Sequence, residues 1–187
     1  MENHGKFGEV FEKRFAYGRM SRQCRGRFRK NGNVYGKIHM VKDISKYIDY
    51  TLLKADAAEA SFEKLCREAQ KHGFYSVCVP PYAVSKCRNL MGEGGKIATV
   101  IGFPLGYASR ESKVFETGRV LEDGADEIDA VINISAFKSG GTDYVLDELK
   151  EIRKASAEYV LKIIIETCYM NDEGMTMTGG VATYSVD

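Results

Sequence analysis

The stretch EIDAVINISAFKSGGTDYVLDELKEIRKASAEYVLKIIIET, residues 127–167, decides the fold. It opens on EIDAVINI (127–134) and closes on LKIIIET (161–167), two β-rich runs too apolar for half-exposed strands. Between them, Val145, Leu149, Ile152 and Ser156 recur at helical spacing behind Thr142, a candidate helix cap. Strand, helix and strand in this order form a βαβ unit, which places the two strands parallel in one sheet.

The same alternation extends towards the N-terminus. YIDYTLL (47–53), FYSVCV (74–79) and IATVIGF (97–103) are three further candidate strands, and segments 82–91 and 109–122 are compatible with helix. Asp56 and Glu59 have the spacing of a capping box, Phe62, Leu65, Cys66 and Ala69 share one helical face, and Gly73 suits a left-handed stop. The expectation is an α/β domain of about five βα units, with helices over one face of a parallel sheet and a packed interior behind the other. Asp49, Asp129 and Lys162 interrupt otherwise apolar strands. An ionised group there must be paired, hydrogen-bonded or chemically used, because isolation costs several kcal/mol.

Composition narrows the classes. The 187 residues are 44% apolar and 28% charged, enough to bury a core, and no uninterrupted apolar run of membrane-spanning length or secretory h-region occurs. The expected location is the cytoplasm, with no membrane contact. Five widely spaced cysteines (Cys24, Cys66, Cys78, Cys87, Cys168) without a Cys-x-x-Cys pair read as reduced thiols, and His4, His39 and His72 lack metal-ligand spacing, so no metal is expected. Charge divides the chain near residue 43: the first 42 residues carry 11 basic and three acidic residues, about +8, against about −7 for residues 43–187. The basic segment GRMSRQCRGRFRKNGN (18–33) has no apolar period and is expected to be solvated. Its arginines with Phe28 suit RNA, and its position suits a targeting leader, although Glu2, Glu9 and Glu12 count against the leader. A silent extension is the favoured reading, and nucleic-acid binding is not expected.

Taken together, YIDYTLLK (47–54), VCVPPYAV (77–84), ATVIGFPLG (98–106), GADEIDAVINISAFKSG (124–140) and LKIIIETC (161–168) resemble the deoxyribose-phosphate aldolases. The resemblance implies a TIM-type (β/α)8 barrel, of which residues 43–187 match about five units. It also implies reversible cleavage of 2-deoxyribose 5-phosphate to glyceraldehyde 3-phosphate and acetaldehyde by a lysine Schiff base, with no cofactor. Asp129 matches the family's proton-relay aspartate, Cys78 a pocket cysteine beside the bound aldehyde, and Asp49 the first-strand aspartate at the substrate end. Lys162 matches the fifth-strand lysine, one strand before the Schiff-base position, which implies an electrostatic role in the substrate site through Asp129 or Glu166. Pro80 and Tyr50 stand where asparagine and histidine or leucine are usual, which implies an altered pocket.

The family's sixth-strand Lys-Thr-Ser-Thr-Gly-like motif is absent, as are its seventh-strand lysine and eighth-strand phosphate region; TGGVAT (178–183) is similar to the stretch that follows the catalytic lysine. The expectation is a truncated carbon–carbon lyase, impaired or inactive, whose first and fifth strands are open edges that invite self-association or a companion fragment. The rival expectation is a non-catalytic binding or partner protein.

Overall fold

The computed structural model describes residues 43–170 and, as backbone only, the residue pairs 29–30 and 33–34. The chain divides into two units, 1–44 and 45–187. In the first, Arg29–Lys30 and Asn33–Val34 form a short antiparallel strand pair. The expectations of a solvated arm, a leader and RNA contact otherwise fall outside the described residues.

The second unit is a curled parallel sheet with helices on its convex face. Its elements run β1 (Asp49–Thr51), α1 (Glu59–His72), β2 (Ser76–Val79), α2 (Val84–Met91), β3 (Ile97–Ile101), α3 (Arg110–Glu122), β4 (Glu127–Val131), α4 (Ile134–Lys138), α5 (Thr142–Ser156) and β5 (Val160–Ile164). The strands lie in sequence order, all parallel. Parity sorts their side chains. Val77, Val79, Ile97, Ile101, Ile128 and Ala130 point outward onto Phe62, Leu65, Cys66, Ala69, Val84 and Cys87, while Cys78, Ala98 and Val100 point inward with Leu53. Strands β2 and β3 are buried along their whole length, whereas β1 and β5, with one strand neighbour each among the described residues, are half-buried or exposed.

The expected helix faces are the buried ones: Phe62, Leu65, Cys66 and Ala69 on α1, and Val145, Leu149, Ile152 and Ser156 on α5. Gly73 ends α1 at φ 63°, its N–H on the Ala69 carbonyl. The helix starts depart from expectation. No Asp56–Glu59 capping box forms, because the N-cap is Ala58 and Lys86 on α2 takes the Glu59 carboxylate. Thr142 is the first helical residue rather than the cap; Gly141 precedes it, where an added Cβ would lie 2.9 Å from the Ala136 carbonyl oxygen. EIDAVINI is not one strand. Asn133 accepts a hydrogen bond from the Ala136 N–H at 3.0 Å and starts α4, ending β4 at Val131.

At the N-terminal face of the sheet, Arg88 donates to the carbonyls of Gly92, Gly95 and Gly124 and pairs with Asp126, tying α2 to the turns that lead into β3 and β4. No helix among the described residues is long and apolar enough to cross a membrane.

Candidate active site

The polar strand residues converge on one ammonium. Asp129 and Lys162 are register partners on β4 and β5, and Glu127, two residues before Asp129, shares its inward face. Lys162 Nζ lies 2.7 Å from Asp49 Oδ2, 3.0 Å from Asp129 Oδ1 and 3.2 Å from Glu127 Oε2. Asp49 belongs to β1 and Lys162 to β5, the two ends of the sheet order. A direct bond between them requires the sheet to curl until its ends face each other across the interior. Asp49 is itself set by the Ser76 hydroxyl, which donates to Oδ1 at 2.6 Å.

Three carboxylates around one ammonium leave an excess of negative charge, which Lys96, 3.7 Å from Glu127 Oε1, partly offsets. Burial works to lower the Lys162 pKa, but the Asp49 hydrogen bond and the charges of Asp49 and Asp129 outweigh it and hold the pKa above its ordinary value. Burial also acts to raise Asp49, yet the Lys162 and Ser76 hydrogen bonds bring it below the usual carboxylate range. At Asp129 burial wins over Lys162 and the pKa is raised. The buried Oδ1 is in ion-pair contact with Lys162 but out of line for a hydrogen bond. The Cys78 thiol is pushed up to about 12 by burial and by the Asp129 charge, so it stays a neutral neighbour of the cluster.

The structure therefore brings Asp49, Asp129, Lys162 and Cys78 to one interior. It does not bring Glu166 there: that residue, at φ 49° beyond β5, accepts from the Cys168 thiol at 3.4 Å. Tyr50 also departs from expectation. Its side chain faces the helices, stacks on Phe74 with ring centroids 4.6 Å apart and donates to Glu68 on α1, so it cannot reshape the pocket. Glu127 escaped notice although EID carries its signal, since residues two apart on a strand share a face. Lys113 and Glu148, a fully buried pair 2.9 Å apart, carry no sequence signal at all.

The rim is built from the GFPLG loop (102–106), where Gly102 and Gly106 adopt φ 63° and 71°. A cavity of about 680 Å³ opens on the outer side of this loop, among Tyr82, Phe103, Leu105, Tyr107 and Phe115, and shares no residue with the charged cluster. No group of three or more His, Cys, Asp or Glu among the described residues is placed to hold a metal ion; the carboxylates face Lys162 instead.

An ammonium held this way is a poor nucleophile, because imine formation needs the neutral amine. What the geometry provides instead is a fixed positive charge 3.0 Å from Asp129, whose carboxyl pKa is held above its ordinary value by burial.

The profile of the DeoC/LacD family aldolases matches residues 44–180. The chain belongs to this family. Among curated DeoC/LacD relatives, the deoxyribose-phosphate aldolase of Caldicellulosiruptor saccharolyticus is 48% identical over 136 residues, covering 71% of this chain and 62% of that protein. That of Thermococcus gammatolerans is 50% identical, covering 70% and 60%. The solved aldolase QR15 aligns with TM-score 0.75 and 38% identity over 78% of this chain and 65% of that one. The deoxyribose-phosphate aldolase of Aeropyrum pernix, described as tetrameric, aligns with TM-score 0.71 and 33% identity over 76% and 60%. The chain thus spans about 60% of the length of these curated relatives. Its five parallel strands and the helices that connect them are a segment of the DeoC/LacD TIM-type barrel.

Proposed function

We propose that this chain carries the proton-transfer half of a deoxyribose-phosphate aldolase site. The reaction is reversible cleavage of 2-deoxyribose 5-phosphate to glyceraldehyde 3-phosphate and acetaldehyde. The observation that carries the reading is Asp129 Oδ1 held 3.0 Å from Lys162 Nζ inside the barrel. Asp129 moves protons during carbinolamine and enamine steps, and Lys162 and Asp49 set the charge around it. Cys78 lies beside the aldehyde carbon chain. The nucleophilic amine is a separate requirement, because Lys162 is held as an ammonium by Asp49, Asp129 and Glu127.

The test is incubation with acetaldehyde and cyanoborohydride, followed by peptide mapping, beside binding of 2-deoxyribose 5-phosphate measured by ligand-observed NMR. Saturable sugar-phosphate binding that Asp129→Asn weakens at least about tenfold, with Lys162 unalkylated, is expected. Turnover with an adduct on Lys162, or no binding of the sugar phosphate, overturns the assignment. In the same preparation we expect self-association. Among the described residues β1 and β5 have one strand neighbour each, and Val160 on β5 is 46% exposed, which leaves edges open to pairing. Light scattering that gives a monomer at micromolar concentration counts against it.

A further inference from the structure

We propose that the buried Lys113–Glu148 pair is a positioning device that holds the mouth of the barrel, and with it Asp129, in register. The significance of Asp129 rests on the reading above; the device itself does not.

Lys113 on α3 and Glu148 on α5 are both 0% exposed, with Nζ and Oε2 2.9 Å apart. Each also bonds the backbone just where β4 ends. Lys113 Nζ donates to the Val131 carbonyl at 2.8 Å, and Glu148 Oε2 accepts from the Asn133 N–H at 3.2 Å. Val131 is the last residue of β4 and Asn133 caps α4, so these two backbone groups sit where one element stops and the next starts. The same lysine sets the exit of β3. A Cβ added at Gly102 would lie 2.7 Å from Lys113 Cε, so that stem lies directly on the first residue of the rim loop, and Glu116 on α3 accepts the Gly102 N–H at 2.9 Å. Two helices thereby grip the C-terminal ends of two neighbouring strands through one ion pair, two residues beyond Asp129.

Stability is a weak reason for such a pair. Desolvating two ions cancels most of their attraction, and apolar replacements of similar volume are commonly neutral or stabilising. Glu148 Oε1 is buried without a hydrogen bond, so the pair does not even use its full bonding capacity. What apolar side chains cannot supply is a donor to Val131 and an acceptor for Asn133 at a fixed separation.

The test is the double replacement Lys113→Met with Glu148→Leu, read by thermal unfolding, amide exchange and NMR titration of the Asp129 carboxyl carbon. Lys162, Asp49, Glu127 and Cys78 surround Asp129, and none of them is altered. The double variant is expected to melt at or above the wild-type temperature. Exchange at Asn133 and across 102–106 should rise at least about tenfold. The Asp129 midpoint should fall as its surroundings loosen and admit water, since burial is what raises it. A double variant that fails to fold, or one that keeps wild-type exchange at the mouth and the wild-type Asp129 midpoint, overturns the proposal and leaves the pair a structural one. Neither readout needs turnover or sugar-phosphate binding, so failure of the aldolase reading leaves the test intact.

Discussion

Lys162→Met is expected to destabilise the barrel unit by about 2–3 kcal/mol at pH 7, less than the roughly 3–5 kcal/mol for breaking a fully buried ion pair, because the side chain is 36% accessible and partly screened. For a unit of this size the melting temperature should drop by roughly 10 °C. The loss has two components. Asp49, Glu127 and Asp129 are left facing one another, and the bond that draws β1 to β5 is gone. The pH dependence separates them. In the wild type Lys162 has a raised pKa, so its contribution is complete below the unfolded value of about 10.4 and fades as pH rises through the folded one. Asp49 has a lowered pKa, and its contribution is present above about pH 4 and fades as pH falls through the folded value. Without the ammonium, the crowded carboxylates bind protons more readily. The gap between variant and wild type should therefore narrow on acidification from pH 7 towards about 4.5. Equal melting temperatures at pH 7 would remove Lys162 from the account of the interior.

Lys162 also shows how far the sequence can be read. Its need for a partner was legible, since a charged residue in an apolar strand must be paired, and the resemblance offered Asp129 or Glu166 for it. Asp49 as a partner was not, because 113 positions separate the two residues and only the curl of the finished sheet joins them. Glu166, the other candidate partner beside Asp129, lies beyond β5 and away from the interior. Helix faces were readable because burial follows a period of 3.6. Helix starts were not, because they are settled by tertiary claims such as that of Lys86 on Glu59. Tyr50 misled for a related reason: the resemblance fixed its position in the strand, but the contacts with Glu68 and Phe74 decide what its ring does. For Lys113 and Glu148, charged residues on exposed-looking helices, the sequence offers nothing to tell a solvated lysine from one that is completely enclosed.

Gly106→Ala should be among the most damaging single-methyl additions in the described unit, at about 3–4 kcal/mol. Roughly 1–2 kcal/mol comes from the left-handed backbone at φ 71°, which a Cβ disfavours. The rest is overpacking, about 1–3 kcal/mol where neighbours cannot move. They cannot move here. The added Cβ would lie 1.9 Å from the Ile132 carbonyl oxygen and 3.0 Å from Val131 Cγ1. Ile132 is held on both sides, by the Lys113 bond to the Val131 carbonyl and the Glu148 bond to the Asn133 N–H. Relief by moving Gly106 instead would strain its own N–H bond to the Gly102 carbonyl, 2.8 Å long. Gly140→Ala is the control. Its φ is 84°, but nothing lies within 4 Å of the added Cβ, so only the left-handed penalty of about 1–2 kcal/mol applies. Urea unfolding of the two variants measures the difference, which is the part of the cost that belongs to the fixed end of β4. Equal losses would mean that the strand end yields, and would weaken the case for a rigid mouth around Asp129.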